Sequence, residues 1–267
     1  VPGPRLLTLE GDIQAKQALF TSMQALIENN NLSSAHINFI DIDDLTAARD
    51  NSWLIREGLQ FHWHNQDYES FDQFLEYLTS RKRKNIRKER DSIKESGIRF
   101  EHLTGDTIKP IHWDIFYQCY LATIEKKWGG AYLTRMFFES LSGNIADKIL
   151  LIIAYDGDTP IAGALNFIGL DALYGRNWGG LRDVPFLHFE TCYYQAIDFA
   201  IKIGLKRVEA GAQGLHKVPR GYLPLKTYSA HKILNPQFEE AIMRFLRQEA
   251  LQNQGEALLI AKTSPYK

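Results

Sequence analysis

Between Glu209 and Tyr222 the chain gathers groups that can move protons and hold anions: Glu209-Ala210-Gly211-Ala212-Gln213-Gly214-Leu215-His216-Lys217, then Arg220-Gly221-Tyr222. A carboxylate or an imidazole can take a proton near neutral pH, and Lys217 and Arg220 offer positive charge to an anionic ligand. Glycines just past a strand end, here Lys206 to Val208, let backbone N–H groups approach a ligand closely. The Gly-Lys-Ser/Thr ending of a nucleotide phosphate loop, and the helix that follows it, are missing. A glycine-rich surface connection is the plainer alternative; the load of Glu, Gln, His, Lys and Arg favours a binding site.

Three further groups have the types for chemistry. Tyr174, Arg176 and Trp178 alternate along a strand-like stretch, which would put them on one face. His188 and Glu190 fall in the first turn of the next helix, where a carboxylate suits the positive end of the dipole. His62 and His64, two apart on a strand, could begin a metal site, but no third ligand stands at a recognisable spacing. No Gly-x-Ser-x-Gly elbow occurs, Cys119 sits in an apolar helix, and no dinucleotide fingerprint is present.

These residues need elements to hold them. Periodicity predicts helices over about 14–29, 71–78, 80–96, 108–127, 134–147, 187–204 and 236–253. Strands are expected over 36–42, 59–64, 98–103, 149–155, 160–169, 171–179, 206–210 and 226–233, the second of them half-buried. Asp156-Gly157-Asp158-Thr159-Pro160 reads as a hairpin turn, and Gly97 as a helix C-terminal cap. Hairpins feeding one crossover helix give an α/β (α+β) fold with mixed, largely antiparallel sheets flanked by helices.

The 267 residues are 45% apolar and 24% charged, which excludes disorder and collagen-like repeats. Two cysteines are too few for a disulfide scaffold, and the longest strongly apolar run, Ile149 to Tyr155, is far short of a membrane span. A cytoplasmic protein without a metal is the expectation. Net charge is −1, yet residues 80–90 hold seven Lys/Arg against one Glu, and residues 201–232 hold seven more against Glu209 alone. Two basic segments on an acidic body suggest convergence on an anion.

Together, residues 161–180, 187–217, 220–233 and 60–90 resemble the FemAB-like branch of the GNAT N-acyltransferase superfamily, and within it the bacterial "peptidoglycan biosynthesis/recognition" proteins. The string EAGAQG…HK…RGY carries most of that resemblance. It implies tandem GNAT-like modules: an incomplete one over 1–97 with the basic helix, and a second over 98–267. Val1 to Leu7 resembles an internal piece of such proteins, which implies an N-terminally truncated chain. The family's pyrophosphate loop should fall near 179–187, but Gly179-Gly180-Leu181-Arg182-Asp183-Val184-Pro185-Phe186 has the wrong glycine spacing. That puts an ordinary coenzyme A site in doubt; the Fem peptidyltransferases share the loss and take aminoacyl-tRNA.

The implied activity is transfer of an acyl or aminoacyl group to an amine, which requires no covalent enzyme intermediate. By position, Glu209 or His216 would take the proton and Gln213 would orient the carbonyl. Arg176, Lys217 and Arg220 would hold an anionic donor or acceptor, with Tyr174, Trp178, His188, Glu190 and Tyr222 completing the binding set. Acyl-CoA is the expected donor, because seven charges on one helix more often form a solvated face than a tRNA groove; aminoacyl-tRNA is the alternative. A competing class is a non-catalytic protein whose degenerate cleft binds a glycan or peptide.

Overall fold

The computed structural model describes residues 1–126, 129–212 and 214–267, with the side chain of Asn144 also outside it. Gln213 therefore lies outside the described residues, as does the end of the helix expected over 108–127. The chain forms two compact units, Val1–Gln60 with Pro224–Thr263, and Phe61–Leu223 with Ser264–Lys267.

The first unit holds helix α1 (Ile13–Asn29), strand β1 (Ser34–Ile40), helix α2 (Ile42–Asp50) and the start of strand β2 (Leu54–His64). Most of a later strand and a long C-terminal helix, Pro236–Lys262, complete it. Phe20, Ile40, Leu45, Ala48, Trp53 and Ala230 form its core. The strand expected to reach residue 42 stops at Ile40, because the Asp41 side chain accepts the Asp44 N–H and starts α2 instead. Asp44 is fully buried and earns its place by accepting from the Arg5 and Leu6 N–H groups and from Lys16 Nζ.

In the second unit α3 (Phe71–Tyr77) and α4 (Ser80–Glu95) precede strand β3 (Ile98–Leu103), then α5 (Pro110–Glu125) and α6 (Arg135–Asn144). Strands β4 (Ile149–Asp156), β5 (Thr159–Ile168) and β6 (Ala172–Gly180) form an antiparallel meander, with β3 antiparallel to β4. A crossover helix follows in three parts: α7 (Leu187–Phe189), a π-helical turn (Glu190–Tyr194) and α8 (Gln195–Lys202). It leads into β7 (Arg207–Glu209), parallel to β6 on one side and antiparallel to the end of β2 on the other. The chain then makes a 3-10 turn (Leu215–Arg220), strand β8 (Leu223–Ile233) and helix α9 (Pro236–Lys262). The meander, crossover helix and parallel strand are as expected. The boundary expected at 97/98 instead falls inside this unit, because α4 packs against β3, the π-helical turn and the 3-10 turn.

Both faces of this sheet are covered, which is why β4 is buried from Ile149 to Tyr155. Leu103, Trp113, Phe116, Phe138, Ile153 and Leu165 pack beneath α5 and α6. Ile93, Ile98, Ala154, Ile161, Ala162 and Leu187 pack on the opposite side. Gly179 is required here: a Cβ on it would lie 1.7 Å from the Cys119 carbonyl oxygen, so only glycine lets α5 lie against β6. The end of β2 departs from expectation in being buried on both faces, with Phe61, His62 and Trp63 all inaccessible.

Candidate active site

Strands β6 and β7 pair only from Ala172 to Tyr174 and from Arg207 to Glu209. Beyond Tyr174 the β5–β6 register slips, so that Asn166 faces Gly175 and Leu165 faces Asn177. Arg176 is the extra residue of this bulge, and the slip changes side-chain parity along β6. Tyr174, paired with Phe167, and Trp178, paired with Ala164, consequently lie on opposite faces of the sheet. This corrects the shared face expected for Tyr174, Arg176 and Trp178.

Where the strands part, a cavity of about 320 Å³ opens. Arg176, Trp178, His188, Glu209, His216 and Lys217 line it, joined by Asn166, Cys192 and Tyr193. Tyr174, Glu190, Arg220 and Tyr222 are not part of its lining. The chain thus brings six of the expected residues together and sets four apart.

The π-helical turn supplies one wall. A widened turn of this kind frees backbone geometry and re-aims side chains within an otherwise regular helix. It places the Tyr193 hydroxyl 2.9 Å from His216 Nε2. Gly214 admits the imidazole from the other side: its φ is +107°, and a Cβ there would sit 2.4 Å from the His216 ring. Arg220 Nη1 donates to the His216 carbonyl. Burial, reinforced by the charges of Lys217 and Arg220, holds the His216 pKa below its ordinary value, so the ring is neutral at pH 7. His188, with its ring centroid 6.0 Å from that of His216, is depressed further, to about 4, again chiefly by burial.

Lys217 is 5% exposed. Its Nζ donates to the Ala210 carbonyl at 2.5 Å, and among the described residues Ala210 is its hydrogen-bond partner. Desolvation lowers its pKa to about 8, so the ammonium is still the major form at neutral pH. A buried cation in a cavity wall is costly unless a negative partner arrives, which makes Lys217 a ready receiver for developing oxyanion charge.

Glu209 is engaged differently. Its Oε1 accepts from Arg207 Nε at 2.9 Å, and Oε2 lies 3.8 Å from His62 Nε2. Burial raises the Glu209 pKa while Arg207 opposes the rise, and burial lowers that of His62 to about 4, so His62 faces Glu209 as a neutral ring. The carboxylate is therefore an anchored group at the end of β7, whereas His216 shares a hydrogen bond with the Tyr193 hydroxyl.

The four residues outside the lining have structural partners. Arg220 bonds Glu89 Oε1 at 2.7 Å and lies 3.4 Å over the Phe189 ring. Glu190 is paired with Arg90 at 3.0 Å and with Gln195 at 2.7 Å. Tyr222 is fully buried against Tyr193, and Tyr174 packs over Gly169. Asn166, Cys192 and Tyr193 carry no sequence signal that marks them as cavity residues. A π-helical turn leaves no pattern distinguishable from an ordinary helix, and the apolar neighbours of Tyr193 make it look like core.

The second basic segment does not converge on an anion. Arg207 pairs with Asp171 and Glu209, Lys206 with Asp67, Lys226 with Glu57, and Lys217 and Arg220 are turned inward. On α4, Arg90 is likewise consumed by Glu190 and Asp198. Arg81, Lys84 and Lys88 remain exposed, with no ion-pair partner among the described residues.

No described helix is long and apolar enough to cross a membrane. Among the described residues no three His, Cys, Asp or Glu side chains are grouped to hold a metal ion. The family described as FemAB-like, peptidoglycan biosynthesis/recognition, matches residues 1–267. No curated protein matches the chain by sequence. Among solved structures, L-PGS from Bacillus licheniformis is similar at 9% identity and a TM-score of 0.62, covering 86% of this chain and 78% of its own. FemX is similar at 13% identity and a TM-score of 0.60, covering 87% and 80%. A C-terminal DUF2156 domain from Agrobacterium fabrum gives 12% identity and a TM-score of 0.64, covering 90% and 79%. At such identities the likeness shows the fold alone.

Proposed function

The chain belongs to the FemAB-like family, and from that premise we propose that it transfers an aminoacyl group to an amine in the synthesis of a cell-envelope component. The observation that carries the reading is the cavity at the parting of β6 and β7, with a neutral His216–Tyr193 pair and the buried Lys217 in one wall. Amide formation from an ester needs these functions and no covalent intermediate on the protein.

In this reading the acceptor amine attacks the donor carbonyl inside the cavity. Lys217 Nζ donates to the oxygen as it becomes an oxyanion. The amine's proton passes to the Tyr193 oxygen as the Tyr193 hydroxyl proton moves to His216 Nε2, a relay set by their 2.9 Å separation. The attack forms the C–N bond; collapse of the tetrahedral centre restores the carbonyl and breaks the ester C–O bond, and the leaving alkoxide takes the proton held by the pair. Trp178 and His188 wall the cavity and limit water, which would otherwise hydrolyse the ester. Glu209 fixes the end of β7 through Arg207.

An aminoacyl-tRNA donor is favoured over acyl-CoA by the exposed charges Arg81, Lys84 and Lys88, which find no partner within the described fold. The test is incubation of the chain with aminoacyl-tRNA and an amine acceptor, followed by mass spectrometry. An amide product formed in step with tRNA deacylation supports the reading. Deacylation to free amino acid alone, or no reaction with either donor class, counts against it.

A further inference from the structure

A second cavity, of about 530 Å³, lies apart from the first and takes its lining from the second unit alone. Three tyrosines dominate it. Tyr68 is 4% exposed, and Tyr77, with its ring 5.0 Å away and edge-on, is half exposed. Tyr266 is held in place because its hydroxyl donates to the Gly221 carbonyl at 2.8 Å. The polar contributors are His62, His64, Gln66 and Ser264.

Two features of this lining point to a ligand. None of the nine described lining residues is Asp, Glu, Lys or Arg, and burial lowers the pKa of both histidines, so the wall is neutral at pH 7. A phosphate or a carboxylate would find no counter-charge there, and an ammonium no anion. Independently, the Tyr68 hydroxyl is buried with no hydrogen-bond partner among the described residues. Such a group is destabilising if nothing ever meets it, and so calls for a partner that the protein itself does not supply.

We propose that this cavity binds a neutral sugar ring. The aromatic faces of Tyr77 and Tyr266 cover the apolar face of a pyranose, as amphipathic rings cover other flat apolar surfaces. The Tyr68 hydroxyl and the side chains of Gln66, His64 and Ser264 meet its hydroxyl groups. His62 joins the two cavities: it lines this one while its Nε2 stands 3.8 Å from Glu209 in the first. The inference goes beyond the transfer reaction and does not depend on it, since binding is read without any donor or acceptor.

The test is NMR titration of the whole chain with methyl β-glucoside, methyl β-galactoside and methyl N-acetyl-β-glucosaminide, beside adenosine and glucose 6-phosphate. Saturable shifts at Tyr68, Tyr77 and Tyr266 with at least one neutral glycoside are expected, and weaker or no shifts with the nucleoside and the anion. Tyr68→Phe should weaken that binding about tenfold, the loss of one hydrogen bond, without lowering thermal stability, because the hydroxyl has no partner in the protein. Tyr77→Ala, at a half-exposed position, should weaken it at least as much. No saturable shift with any neutral glycoside, tighter binding of adenosine or glucose 6-phosphate, or unchanged affinity in Tyr68→Phe would each overturn the proposal.

Discussion

The Tyr193 hydroxyl and His216 Nε2 meet at 2.9 Å across a cavity wall, one from a π-helical turn and the other from a 3-10 turn more than twenty residues later. Neither local conformation is the default for its sequence, and both are needed for the contact. Removing the hydroxyl with Tyr193→Phe keeps the ring that packs on Tyr222 and deletes the relay. Transfer should fall about 10²-fold in kcat with KM little changed, the size usual for loss of a positioned proton carrier. Steady-state kinetics with a circular-dichroism check of folding measures it.

Lys217 gives the reaction a pH signature. Its charged form is the one that polarises the carbonyl, and its pKa stands near 8, so kcat should decline as pH rises through about 8. His216 must be neutral to take a proton, and its pKa is lowered, so kcat should also decline as pH falls below the ordinary histidine range. The profile of kcat is then a bell whose alkaline limb disappears in Lys217→Arg, since arginine does not deprotonate there.

Gly179 tests the fold that holds the cavity open. Gly179→Ala would drive a methyl group into the Cys119 carbonyl, where backbone rather than a flexible side chain must yield. A loss of about 3 kcal/mol or more is expected in urea unfolding, because α5 would have to lift from β6. Gly129→Ala, whose nearest neighbour would be 3.8 Å away, is the control that should be nearly neutral.

The charges on α4 decide the donor. If they hold tRNA, log affinity should fall with log salt by about 0.7–0.9 per phosphate contacted, and Lys84→Glu with Lys88→Glu should flatten the slope. A shallow slope that the two reversals leave unchanged would return acyl-CoA as the donor. Filter binding over a range of salt concentrations reads it directly.

Most elements were legible because their signals are local. The continuous apolar run Ile149 to Tyr155 marked the first strand of the meander, and Asp156-Gly157 marked its turn, where Gly157 has φ +59°. Helix α2 was not legible: its inward face is Leu45, Ala47 and Ala48, too small and short to show a period, and its start is set by one capping carboxylate. Within the site, His216, Lys217 and Glu209 stood out by type and crowding. Tyr174 and Trp178 were misjudged together, since a single-residue bulge at Arg176 changes which face each occupies and leaves no mark in composition. Charge was misjudged for a related reason. Lys206, Arg207 and Arg220 look like a basic patch in sequence, but their partners Asp67, Asp171 and Glu89 come from distant segments.

The most direct measurement is single-turnover transfer of a labelled amino acid from aminoacyl-tRNA to an amine, run with the wild-type chain and with His216→Ala/Lys217→Met. The wild type should form the amide, and the variant should retain its fold, bind the donor and form amide at least 10²-fold more slowly, because it has lost both the oxyanion donor and the proton acceptor. Amide formation by the variant at the wild-type rate would contradict a reaction centred on this cavity.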